Sequence, residues 1–112
     1  MKKYCKNVVD LCLKLLSVFS VNLGLHSDYL KEAFGGKEDM GMCIRINYYP
    51  ACPEPDLTLG LSSHSDPGGI TFLLQDDVNP GLQVRKDDCW IPVKPIPNAL
   101  VVNLGDQMEV SL

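Results

Sequence analysis

Leu59-Gly60-Leu61-Ser62-Ser63-His64-Ser65-Asp66-Pro67-Gly68-Gly69 is the stretch on which the fold turns, and Ile70-Thr71-Phe72-Leu73-Leu74 follows it directly. An apolar run from 57 to 64 ends in a Gly- and Pro-rich break, and a second apolar run begins at once, as in two short strands joined by a turn. His64 and Asp66 are separated by one residue at the end of the first run, so as strand residues they project to the same side, roughly 6 to 7 Å apart at Cα. One imidazole and one carboxylate are two of the three ligands of the facial triad that holds non-haem Fe(II). Taken alone, a His-x-Asp pair more often forms a hydrogen-bonded surface pair than a metal site, so its neighbourhood has to decide.

Outward from this pair, short β-rich runs recur at 42–49, 57–64, 70–75, 82–85, 89–93 and 99–104, broken by Pro, Gly and Asp, which is the texture of a sandwich or barrel. Pro50-Ala51-Cys52-Pro53-Glu54-Pro55 is excluded as a central strand and reads as an extended link between two of them. In the first run Ile44, Ile46 and Tyr48 alternate with Arg45, Asn47 and Tyr49, which predicts one packed face and one polar face. Upstream, Val8, Cys12, Leu15, Leu16, Phe19 and Leu23 recur at helical spacing, so residues 3–23 read as an amphipathic helix capped by Gly24. Ser27 is placed to cap a second short helix through Phe34, with Gly35 and Gly36 as its stop. The expected organisation is a helical segment over 1–41 and a β domain over 42–112.

Composition narrows the function. The 112 residues hold 10 Lys and Arg against 14 Asp and Glu, for a net charge of −4, and the basic residues form no run, which argues against a nucleic-acid or anionic-membrane partner. No segment is long and apolar enough to span a bilayer. Met1-Lys2-Lys3 before an apolar stretch loosely resembles a secretory leader, but Asp10 and Lys14 interrupt that stretch and no small-residue cleavage site follows, so a cytoplasmic protein is expected. The five cysteines, at 5, 12, 43, 52 and 89, include no Cys-x-x-Cys pair and read as buried thiols rather than a disulfide framework or a zinc site.

Several motifs then appear in one order: Asn47-Tyr48-Tyr49-Pro50, Cys52-Pro53-Glu54-Pro55-Asp56-Leu57, the His64-Ser65-Asp66-Pro67-Gly68-Gly69 stretch, Gly81-Leu82-Gln83-Val84, Trp90, and Asn103-Leu104-Gly105-Asp106-Gln107. This series closely resembles the plant iron(II)- and 2-oxoglutarate-dependent dioxygenases. Leu23-Gly24-Leu25, Ala33-Phe34-Gly35-Gly36 and Leu82-Gln83-Val84-Arg85-Lys86-Asp87-Asp88 bring it nearest to the jasmonate-induced oxygenase branch. The resemblance implies a mainly β fold with N-terminal α-helices, a partial double-stranded β-helix or jelly roll. It implies His64 and Asp66 as iron ligands, Tyr49 as the hydroxyl on the distal carboxylate of 2-oxoglutarate, and Asn47 beside it. Fe(II), 2-oxoglutarate as cosubstrate, supportive ascorbate, O2 and a small plant metabolite as substrate follow from it.

Part of the family pattern is missing. The family's second histidine and its Arg-x-Ser clamp for the cosubstrate carboxylate fall beyond Leu112, so the chain reads as truncated at both ends. His26, between the two expected helices, is not that ligand, and neither Arg45 nor Arg85 is followed by x-Ser; both read as solvated strand residues. Asp106 reads as a turn residue and Met108 and Val110 as the start of a further extended segment. Two alternatives differ in class: a catalytically inactive fragment acting as a binding or regulatory module through an open sheet edge, and a two-ligand hydrolase, for which no nucleophile and base accompany His64.

Overall fold

The computed structural model describes residues 1–111, which divide after Ser65 into two compact units. Leu112, the last residue of the expected β domain, lies outside the described residues.

The first unit is helical and then irregular. Helix α1 runs Lys2–Asn22 and buries Leu16 and Ser20. It ends as the sequence requires: Gly24 takes φ +73°, its amide donates to Val21 O at 2.9 Å, and the Leu25 amide donates to Ser20 O at 2.9 Å. This is the Schellman pattern, in which a left-handed residue satisfies the last carbonyls of the helix. Helix α2, Tyr29–Ala33, is capped by Asp28 rather than Ser27 and buries Leu30. Ser20 joins the two helices, since its Oγ donates to Leu16 O at 2.8 Å and accepts from the Leu30 amide at 3.1 Å. Gly35, at φ +89°, ends α2, whereas Gly36 does not stop the helical region but opens a short helix α3, Gly36–Asp39.

Two expected strands are absent from this unit. Residues 42–49 and 57–64 have no β pairing, and a 3-10 turn, Pro55–Leu57, is the regular element between them. A strand exists only where a neighbour takes up its row of N–H and C=O groups, and among the described residues no strand pairs with either run. The expected packed face is therefore open: Ile46 is 78% exposed and Tyr48 85%.

The second unit carries the four strands that formed. β1, Ile70–Leu73, pairs antiparallel with β4, Val101–Leu104, in the register Ile70↔Leu104 to Leu73↔Val101. β2, Gln83–Lys86, and β3, Cys89–Pro92, form a hairpin. Its two-residue turn, Asp87-Asp88, has both φ values positive, at 49° and 63°, which matches the right-handed twist of the strands and suits Asp, a residue that tolerates the left-handed region. Arg85 lies on β2, exposed and paired with Asp88, as a solvated strand residue; Arg45 is solvated too, but on no strand. After β4 the chain turns into helix α4, Asp106–Ser111, which drives Met108 into the core at 0% exposure. Asp106 is thus a first-turn helix residue and not a turn residue, and Met108 and Val110 are helical rather than extended.

Candidate metal centre

His64 is the last residue but one of the first unit, and Asp66 opens the second. The His64 ring is exposed, and its Nδ1 lies 2.9 Å from Ser62 O. With the proton on Nδ1 the ring donates this bond, and Nε2 then carries the lone pair that a metal requires; a backbone carbonyl on the other ring nitrogen is the usual means of fixing that tautomer.

Asp66 is half-buried, and its backbone is held tightly. The Asp106 amide donates to Asp66 O at 2.8 Å, the Gln107 amide to Gly68 O at 3.2 Å and the Gly105 amide to Gly69 O at 2.9 Å. Three successive amides at the β4–α4 junction thus clasp the Asp66–Gly69 loop. Gly105 makes this approach possible: a Cβ there would overlap Gly68 O and come within 2.6 Å of Asp66 O. The sequence reading missed this clasp; Gly105 at a predicted strand end was the signal that backbone passes close by.

The donor set fits Fe(II) in kind, since a borderline imidazole nitrogen and a hard carboxylate oxygen are what that ion accepts. Among the described residues no group of three or more His, Cys, Asp or Glu side chains is placed to hold one ion. His26 serves locally, its Nδ1 accepting from the Asp28 amide at 3.3 Å.

Tyr49 and Asn47 lie in the irregular segment of the first unit, so they do not share a strand face as expected. The Tyr49 ring, 56% exposed, rests against Gly60, where an added Cβ would stand 3.3 Å from Cε1. The five cysteines are unpaired, but they are not all buried: Cys5 and Cys12 are half-buried and Cys43, Cys52 and Cys89 are exposed. Burial pushes the Cys12 thiol pKa up, which keeps that sulfur protonated and unreactive.

Comparison with known proteins gives these residues a context. A family model described as the 2OG-Fe(II) oxygenase superfamily matches residues 40–111. The chain is 56% identical over 111 residues to Jasmonate-induced oxygenase 3 of Arabidopsis thaliana, covering 98% of this chain and 31% of that protein. It is 48% identical over 110 residues to 1-aminocyclopropane-1-carboxylate oxidase 1 of Cucumis melo, covering 98% and 35%. A crystal structure of JOX2 in complex with 2OG, Fe, and JA superposes with a TM-score of 0.84 at 50% identity, over 96% of this chain and 32% of that one. The chain spans about a third of the length of the curated relatives it matches. Its architecture is the expected one, N-terminal helices with part of a double-stranded β-helix, or jelly roll.

Proposed function

We propose, because this chain belongs to the 2OG-Fe(II) oxygenase superfamily, that the whole protein oxidises a small plant metabolite while converting 2-oxoglutarate and O2 to succinate and CO2. His64 and Asp66 supply two iron ligands in this reading, and Tyr49 with Asn47 binds the cosubstrate. Fe(II), when bound, supplies the redox chemistry that couples O2 to the decarboxylation of the keto acid. The chain's own part would be to supply the imidazole through Nε2 and the carboxylate from a clasped loop, and to offer the Tyr49 hydroxyl to the cosubstrate carboxylate.

The observation that carries the proposal is 56% identity to a jasmonate-induced oxygenase across 98% of the chain. It favours a jasmonate-like carboxylate as substrate; ascorbate as a supporting reductant and a cytoplasmic location belong to the proposal without it. We place the oxygenase domain at 42–112 and the helical segment at 1–41, a division supported by the family match that begins at residue 40.

A second reading applies to the 112 residues by themselves. In it, these residues are a catalytically inactive fragment that acts as a binding or regulatory module through an open sheet edge.

A segment exchange tests the first reading. Residues 1–112 replace the matched third of Jasmonate-induced oxygenase 3, and succinate is measured with Fe(II), 2-oxoglutarate, ascorbate and a jasmonate-type carboxylate. The exchanged protein is expected to turn over and its His64→Ala form to fall silent. A silent but folded exchange, or an active His64→Ala form, overturns the assignment.

A further inference from the structure

The loop that carries Asp66 is Asp66-Pro67-Gly68-Gly69. Its two successive glycines give the second half of the loop more backbone freedom than residues with side chains would, yet a metal ligand has to be held to within about 0.5 Å of its working position. The restraint comes from across the strand pair. Because Ile70 is registered with Leu104, the β1–β4 ladder runs straight into the loop on one side and into Gly105 on the other. The Gly105 amide extends the ladder to Gly69 O, and the next two amides reach Asp66 O and Gly68 O. The donor side is itself fixed: Met108, fully buried, anchors α4, and the Met108 and Glu109 amides return to Gly105 O at 2.9 and 3.2 Å. Gly105 is not among the glycines with positive φ, so what position 105 requires is space and not conformational freedom.

We propose that the junction Gly105-Asp106-Gln107 is the positioning element of the metal centre: its backbone amides set where the Asp66 carboxylate stands, and the missing side chain of Gly105 lets them do so. The inference rests on Asp66 being a metal ligand. Position 106 is the N1 residue of α4, where proline is tolerated and its absent N–H would leave one bond missing, the one to Asp66 O. Asp106→Ala keeps that amide and removes only the side chain, including whatever that side chain contacts.

The test uses the 112-residue chain and Mn(II), which the exposed thiols do not compete for, with free aqueous Mn(II) followed by its paramagnetic resonance signal. Asp106→Pro is expected to bind about tenfold or more weakly than Asp106→Ala, as loss of a ligand-orienting contact does, because the two variants share the loss of the side chain and differ in the amide, with unchanged circular dichroism in both. His64→Ala and Asp66→Ala are run beside them. If the parent chain does not bind, or these two variants bind as it does, the metal assignment falls and this inference with it. If they lose Mn(II) while folded Asp106→Pro binds it as tightly as Asp106→Ala does, the positioning role alone is refuted. Should Asp106→Pro not fold, hydrogen exchange in the parent chain decides. Coupling between ligand and clasp is reciprocal, so Mn(II) must slow exchange at 105–107 more than elsewhere in α4, and equal slowing overturns the proposal.

Discussion

Ser20→Ala isolates a polar contact that joins α1 to α2. Ser20 is 0% exposed and Leu30 1%, so neither partner of the Ser20–Leu30 bond has access to solvent. Leu30 is the second residue of α2, one of the first-turn amides that has no acceptor within its own helix, and Asp28 at the N-cap makes no side-chain cap bond. Ser20 Oγ at 3.1 Å therefore does the work of an N-cap from a different helix. Removing it leaves a buried amide without an acceptor, a loss of about 1 to 3 kcal/mol; a lost N-cap costs about 0.5 to 2 kcal/mol. These describe the same bond and do not add, so about 1 to 2 kcal/mol is the expected destabilisation. Leu16 O loses little, because it keeps its place in the α1 ladder. Alanine is the better helix former by a few tenths of a kcal/mol, so the intrinsic preference of α1 works in the opposite direction. Urea unfolding followed by circular dichroism gives the global number, and amide exchange at Leu30 gives the local one, expected to speed up about tenfold because 1.4 kcal/mol is a factor of ten. Ser17→Ala, on the same helix and without such a bond, is the control. If Ser20→Ala is as stable as Ser17→Ala and Leu30 exchanges at the parent rate, the account of this interface is wrong.

Three further outcomes are expected. In the segment-exchanged oxygenase, Tyr49→Phe raises the KM for 2-oxoglutarate by no more than one lost bond to a charged group allows, about 1.5 to 3 kcal/mol, and an unchanged KM returns Tyr49 to packing against Gly60. Met108→Ala, at a fully buried position, destabilises the second unit by about 2 to 5 kcal/mol, read as a lower urea midpoint. The hydrogen bond and charge of Lys31, 2.7 Å away, hold the Asp28 carboxyl below its ordinary pKa, so this pair favours the folded chain at neutral pH and its contribution disappears as pH falls through the folded-state value; Lys31→Met should move the Asp28 titration, followed by carboxyl carbon chemical shift, back up towards that of a free aspartate.

What was legible in the sequence was what short-range chemistry decides. The 3.6-residue stripe gave α1 to within a residue at each end, and Gly24 gave its cap, because both depend on neighbours one turn away. The runs at 82–85 and 89–93 were legible for the same reason, and they form β2 and β3, which a two-residue turn joins into a hairpin. The runs at 42–49 and 57–64 alternate as a half-buried strand would, yet form no strand. Alternation says which face would be buried, but only a paired neighbour makes the strand, and nothing in Ile44-Arg45-Ile46-Asn47-Tyr48 specifies that neighbour. The shared face expected for Asn47 and Tyr49 failed with it.

The two halves of the candidate metal centre differ in the same way. His64 owes its ring orientation to Ser62, two residues back, and a local contact of that kind suits a pair recognised from local spacing. Asp66 owes its position to residues 39 to 41 places further on, through amides whose side chains take no part in the bonds. Backbone donors leave no trace in side-chain identity except where a side chain would obstruct them, and that exception falls at Gly105. Asp106, read as a turn residue, opens α4 and contributes to the loop through its backbone. Its N–H supplies the bond to Asp66, which is why replacing its side chain and replacing its amide must give different answers.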